Sequence, residues 1–358
     1  MILSILLMII IFSVLVIAHE LGHFLVARRN GVKVHEFGIG FHPRLFKIKR
    51  GGTMYSINLF PIGGFVRLKG EDSSEKGPDS FTEKKYWQKS KIVLAGVTVN
   101  LLIAYVIFYL LMVFGLPGIL PNGFVNVGPI KPSRVVTSPL LTLSVKKGSA
   151  ADKAGLKTGN EILKLNGETL KTTEQLQSLT KQNAGQKVQL TVKKTGDEQT
   201  LDVTLGNDQN QGYLGVSAQP VEVAYYNPLT ALVAAFIAII QLILATLAAF
   251  GDFIVGLFTK AQVSQNVAGP VGIASIFGVI TKFGWRFVLA FTASISLSLA
   301  VINSLPLPAL DGGRFAIMTL QRLGVKISPE KEALAHWIGF ALLIILVIIV
   351  TISDITRL

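Results

Sequence analysis

Residues 2–18, ILSILLMIIIFSVLVIA, carry no charge, and His19-Glu20-Leu21-Gly22-His23 continues directly from them. A run of that length reads as a helix able to cross a membrane. Residues four apart share a helix face, so His19 and His23 can grip one metal ion. Glu20 stands beside them as a base for a metal-bound water. Two imidazoles and a carboxylate at the end of a membrane-length apolar run are expensive, and membrane proteins tolerate them mainly for function. The pattern points to metalloprotease chemistry. A polar cluster satisfied inside a helix bundle, or a proton relay in a transporter, is the competing reading of the same five residues.

Half of the 358 residues are hydrophobic, which places the chain in the membrane class. It has no cysteine, so neither disulfides nor thiolate ligands are available and any metal must be held by nitrogen and oxygen. The net charge of +13 is concentrated rather than spread: residues 28–91 hold 14 Lys/Arg against 6 Asp/Glu between two apolar runs. A basic segment flanked by spans is what the positive-inside rule expects of a cytoplasmic loop, and it argues against a nucleic-acid partner. The N-terminus lacks a basic n-region and an A-x-A-like site, so the first run is expected to remain as a membrane helix. It would start outside and place Arg28-Arg29 inside.

The chain divides into a first membrane-core part (1–116), a Pro/Gly-rich linker (117–139), a soluble domain (140–220), apolar linking helices (221–284) and a second membrane-core part (285–358). Residues 34–69 are short alternating runs broken by Gly and Pro and read as β-hairpins associated with the membrane. A second span runs from about residue 92 to 116 and contains Asn100, either glue between helices or a neighbour of the site. Between 148 and 167 a small helix, a Gly turn, a strand and an Asn-Gly hairpin follow one another, then the strands KVQLTVKK and QTLDVTL. That order resembles a bacterial, circularly permuted PDZ domain. Its loop Gly212-Tyr213-Leu214-Gly215-Val216 resembles the PDZ loop whose amides receive a peptide C-terminus, which makes Tyr213, Leu214 and Gly215 candidate substrate-binding residues.

A catalytic zinc site usually has three protein ligands and one open position. Asp311 is the candidate for the third. It follows an apolar run interrupted by Pro306 and Pro308, which break helical hydrogen bonding and can aim a side chain into a bundle at depth. Gly312-Gly313 permits close backbone approach. A Leu-Asp-Gly tripeptide alone also makes ordinary turns.

With HELGH at 19–23, Gly38-Ile39-Gly40-Phe41, Gly269-Pro270-Val271-Gly272-Ile273, NSLPLPALDGG at 303–313 and a PDZ-like insertion, the chain resembles the site-2 protease family in its bacterial, RseP-like branch. The resemblance implies zinc-dependent cleavage of transmembrane substrates within the bacterial cytoplasmic membrane, in regulated intramembrane proteolysis. Anti-sigma factors and signal-peptide remnants are the substrate classes it suggests. It implies Zn2+ on His19, His23 and Asp311, Glu20 as general base and acid, and Asn303 as a polar helper. It also implies that the 36–67 region, around Gly38 and Gly40, is a strand edge for extended substrate. Two departures stand out: Gly96 is followed by Val97 where relatives often have Gly-Pro, and only one PDZ-like domain is present where some have two.

Parity gives a check on topology. His19 comes about 18 residues after an outside start and Asp311 follows a run of about 17, so both runs must start outside to reach one depth. Residues 92–116 return the chain outside, placing the PDZ-like domain there. The apolar run 229–258 then crosses zero or two times. Zero is the expectation, with a helix pair broken near Gly251-Asp252, which gives about four transmembrane helices. His35, His42 and His336 read as surface, hairpin and interfacial residues. A non-enzymatic membrane PDZ adaptor and a different H-E-x-x-H protease with a Glu ligand are the alternatives. The expected partners are transmembrane substrates, peptide C-termini and the lipid bilayer.

Overall fold

The computed structural model describes residues 2–71, 75–118, 127–194, 197–207, 213–260 and 268–357. They form two compact units, one of residues 1–107, 239–278 and 291–358, the other of 108–238 and 279–290.

The first unit begins with α1 (Ile2–Arg29), an Ile/Leu/Val-rich helix whose last turn carries Arg28 and Arg29, where cations suit the helix dipole. Strands β1 (Val34–Arg50) and β2 (Thr53–Leu68) follow, as the alternating pattern predicts. Each folds back on itself. Residues 36–39 pair with 64–67 on one side and 54–57 on the other, while 54–57 also pair with 46–49. The segments therefore lie in the order 64–68, 34–41, 53–60, 44–50. Helix α2 (Tyr86–Val93) ends at Leu94, and α3 (Ala95–Phe114) starts at once. The break falls at Leu94, two residues before Gly96. Phe24, Val34, Phe37, Leu68, Ile92 and Met318 share one buried core, which fixes the small sheet against α1, α2 and a later helix that carries Met318.

The second unit holds a seven-stranded sheet made of β3 (Leu116–Pro117), β4 (Arg134–Val145), β5 (Glu161–Leu165), β6 (Glu168–Thr169), β7 (Lys187–Lys194), β8 (Asp197–Thr204) and β9 (Val216–Tyr225). The order is β3-β9-β4-β5-β7-β8, with β6 on β5. Helices α4 (Ala150–Lys153) and α5 (Thr173–Gln182) start at Ser149 and Thr172, whose side chains accept from Asp152 and Gln175 backbone N–H groups. Leu140, Ile162, Leu165, Val188, Leu190 and Val203 are the centre of its core. The sheet extends beyond 140–220 at both ends, because β4 begins inside the expected linker and β9 continues to Tyr225. Residues 119–126 of that linker lie outside the described residues.

Helices α6 (Pro228–Lys260), α7 (Pro270–Ile280), α8 (Trp285–Ser304), α9 (Asp311–Arg322) and α10 (Pro329–Arg357) complete the chain. Among the described residues five helices are long and apolar enough to cross a membrane: α1, α3, α6, α8 and α10. The chain is a membrane protein with an added β architecture. The helix pair expected over 229–258 is not seen. Helix α6 is continuous, because an isolated Gly-Asp pair lowers helix propensity without removing a hydrogen bond as proline does. Helix α8, in contrast, stops at Ser304, two residues before Pro306.

Candidate metal centre

The two histidines of α1 point their Nε2 atoms at one spot, 3.2 Å apart. Asp311, the first residue of α9, brings its Oδ2 to 3.1 Å from His19 Nε2 and 3.3 Å from His23 Nε2. Among the described residues this is the one group of three His/Asp/Glu side chains close enough to hold a metal ion. The separations fit a tetrahedral zinc site, in which bonds of about 2.0–2.1 Å put ligand atoms about 3.3 Å apart.

The proton positions sharpen the fit. His23 Nδ1–H donates to the Ile92 carbonyl at 2.8 Å, so its Nε2 carries a lone pair rather than a proton. Asn100, 1% exposed on α3, lies 3.4 Å from His19 Nδ1. The atom that faces it is the amide Nδ2; exchanging the amide nitrogen and oxygen, which have the same shape, would let the unpartnered buried oxygen accept the Nδ1 proton and leave the His19 Nε2 lone pair for a metal. Asp311 Oδ2 would then face two lone pairs, and it receives no hydrogen bond. Buried acceptors that converge without a donor are costly, and a cation among them removes the cost.

Only glycine fits at position 96. A Cβ there would lie 2.5 Å from both Nε2 atoms, so α3 closes the site with bare backbone. Gly22 serves the same approach from the other helix, where a Cβ would lie 2.8 Å from the Ala95 carbonyl. Gly312 and Gly313 let the first turn of α9 sit on the carbonyls of Ser304 and Leu307. Ser296 on α8 donates to the Asn100 carbonyl at 2.8 Å, joining α8 to α3 behind His19.

Glu20 lines a cavity of about 100 Å³ together with His23, Asp311, Leu68, Glu71 and Arg314. It is absent from the ligand group, which suits a carboxylate kept for proton transfer. A pair not foreseen from the sequence borders this cavity: Arg314, one turn past Asp311 on α9, donates to Glu71 on the loop after β2. The i, i+3 spacing from Asp311 was the available signal.

Gly38 and Gly40, expected at a strand edge, lie inside the sheet. Gly38 pairs with Phe65 on one side and Ser56 on the other. Gly40 has φ +75° and its Cβ position is filled by the Phe60 carbonyl. Both are interior to the sheet, because β2 folds back along β1. The edge beside the site is 64–68, which among the described residues pairs with no strand on its outer side. A Cβ at Gly64 would lie 3.5 Å from Glu20 Cγ. Asn303 lies in the last turn of α8, and among the described residues no hydrogen bond joins it to the three ligands; Asn100 stands beside His19 instead.

Tyr213, Leu214 and Gly215 lie in the second unit. Their carbonyls accept from Gly206, Ala151 and Lys146 N–H groups at 2.7, 3.0 and 2.9 Å, and they lead into β9. Gly215 has φ +77°, a conformation glycine adopts freely. Thr173 Oγ1 on α5 donates to Ala218 O of β9 at 3.1 Å. His35 pairs with Glu75 at 3.1 Å on the surface, and His42 stacks on Phe65 within the sheet. His336, on α10, accepts the Ala309 N–H at its Nδ1 at 2.9 Å.

Known proteins similar to this chain identify its family. The model of Peptidase family M50 matches residues 7–346. A Clostridium acetobutylicum protein, whose name assigns it provisionally to the zinc metalloproteases, is 33% identical over 98% of this chain and 97% of its own. The "Regulator of sigma-W protease RasP" of Bacillus subtilis is 29% identical over 98% of this chain and 97% of its own. "Protease RseP" of Yersinia pestis is 28% identical over 97% of each. With the match running from the first helix to the last, the chain belongs to peptidase family M50.

Proposed function

We infer that this chain, an intramembrane zinc protease, holds its metal on His19, His23 and Asp311 and uses Glu20 as general base and acid. The observation that carries the assignment is the convergence of three acceptor atoms from opposite ends of the chain at the end of a membrane-length helix. Zinc held on these residues would supply a Lewis acid for the scissile carbonyl and would lower the pKa of the attacking water to about 7. Glu20 takes a proton from that water as its oxygen adds to the carbonyl carbon. It returns a proton to the amide nitrogen as the C–N bond breaks. Ile92 holds the His23 imidazole in the tautomer that keeps Nε2 for the metal, and the Asn100 amide beside His19 Nδ1 would do the same with its oxygen turned to that nitrogen.

The substrate is a transmembrane segment of another protein. A helix shields its carbonyls by internal hydrogen bonds, so it must unwind to be cut. The β2 edge 64–68 beside Glu20 suits an added extended strand, with backbone pairing in place of the lost helix bonds. The test is direct. The purified chain with a single-span substrate should yield fragments cut within or at the edge of the span, and a zinc chelator should stop the cut until zinc is restored. Cleavage indifferent to chelation contradicts this function.

The orientation follows from charge. The basic 28–91 segment lies in the cytoplasm and the β3–β9 unit, a PDZ-like domain, lies outside. There it screens bulky substrates, and its 213–215 loop offers a seat for a peptide C-terminus. Because His19 and His23 lie in the C-terminal half of α1 and Asp311 follows seven residues after the end of α8, α8 starts on the outer side, as α1 does. A crossing by α6 is therefore matched by a return before residue 285. The chain lacks cysteine, so single replacements report cleanly. Ser178→Cys should react with an impermeant thiol reagent from outside and Lys76→Cys should not; the reverse pattern overturns the orientation.

A further inference from the structure

The turn that delivers Asp311 to the histidines is held in a conformation its residues do not favour. Ala309 has φ +78°, the left-handed region that L side chains rarely adopt. Its N–H does not enter α9. It donates to Nδ1 of His336, 27 residues on in α10, at 2.9 Å. Helix α10 crosses the turn so closely that a Cβ on Gly339, one turn past His336, would collide with the Pro308 carbonyl. From the other side, Gly312 and Gly313 rest on the carbonyls of Ser304 and Leu307. The peptide two residues before Asp311 is thus clamped between α10 and the start of α9, and the His336–Ala309 bond is the directional contact in that clamp.

We propose that His336 is a positioning residue of the metal centre: by accepting the N–H of left-handed Ala309 it fixes the turn that aims Asp311 Oδ2 at His19 and His23. The inference rests on the assignment of Asp311 as a metal ligand. The role requires a ring acceptor at Nδ1, hence a neutral imidazole with its proton on Nε2. It does not require contact with substrate or metal. Losing a group that orients a ligand typically weakens metal binding by about 10–100-fold. His336 acts through the backbone, so the lower end, about 10-fold, is expected.

Two replacements separate the acceptor from mere bulk. His336→Phe keeps the ring and removes the acceptor, whereas His336→Asn offers a carbonyl oxygen near the place of Nδ1. In the purified full chain, zinc affinity is read by competition with a chromophoric chelator, and the melting temperature is read alongside. His336→Phe should lose about 10-fold in zinc affinity and His336→Asn should keep most of it. Wild-type affinity in the Phe variant, or equal losses in both, overturns the proposal. If the Phe variant does not fold, Asn alone decides: near-wild-type affinity supports the acceptor role and a 10-fold loss overturns it. Asp311→Ala is measured in parallel. If it keeps its zinc, the ligand assignment fails and this inference with it; if it loses zinc while His336→Phe does not, the His336 role alone fails.

Discussion

Glu20→Gln is expected to lower intramembrane cleavage by about 10³-fold while leaving zinc in place, within the 10²–10⁴ that a positioned general base contributes. The amide has the size and shape of the carboxylate but cannot accept the proton of the attacking water. Glu20 sits between His19 and His23 in sequence, yet it is not among the three groups close enough to share a metal. It faces the cavity beside His23 and Asp311, and a Cβ added at Gly64 of the edge strand would lie 3.5 Å from its Cγ. The other glutamate on that cavity, Glu71, is engaged by Arg314. Fragment analysis with a single-span substrate, together with the zinc content of the same preparation, checks this. A variant that cleaves near the wild-type rate would move the base elsewhere, and one that loses its zinc would make Glu20 a structural support of the site.

Much of the site was legible because its chemistry is local. His19, Glu20 and His23 lie on two turns of one helix, where a period of 3.6 dictates which residues face together. Asp311 was legible from a different signal, the two prolines that end α8 and the glycines that let α9 begin against it. Helix α6 was misjudged because a Gly-Asp pair in an apolar run weakens a helix by propensity alone, and a 33-residue helix absorbs that. The hairpin region was recognised by its alternation, but alternation does not say which segment is flanked on both sides. Residues 36–39 became interior when 64–67 folded back beside them, and the edge passed from Gly38 and Gly40 to the strand through Gly64. Asn100 and Asn303 were both polar residues in apolar helices. Only the packing of α3 on α1, made possible by Gly22 and Gly96, decides that Asn100 meets His19. Long-range pairs such as Arg314–Glu71 and His336–Ala309 bridge 243 and 27 residues of chain. The spacing from Asp311 marks Arg314 but not its partner, and nothing in the sequence marks the His336–Ala309 bond, because both pairings follow from how helices and loops pack.

Asp311→Ala is the second change expected to have a large effect, and it bears on whether the two ends of the chain build one metal centre. With three protein ligands, removal of the only carboxylate leaves two neutral imidazoles on α1 and takes away the negative charge that offsets the cation. Loss of an orienting group around a ligand already weakens metal binding by about 10–100-fold, so loss of the ligand itself should exceed about 100-fold. The replacement is small and the position half-buried at a helix start, so the helices should still assemble, with Gly312 and Gly313 holding the turn. The deciding measurement is zinc per chain after dialysis against a weak chelator, for the wild type and Asp311→Ala, with Glu20→Gln as the control that keeps its ligands. Close to one zinc per chain in the wild type and the control, with almost none in Asp311→Ala, is the expected result. Undiminished zinc in Asp311→Ala would contradict it and remove Asp311 from the metal.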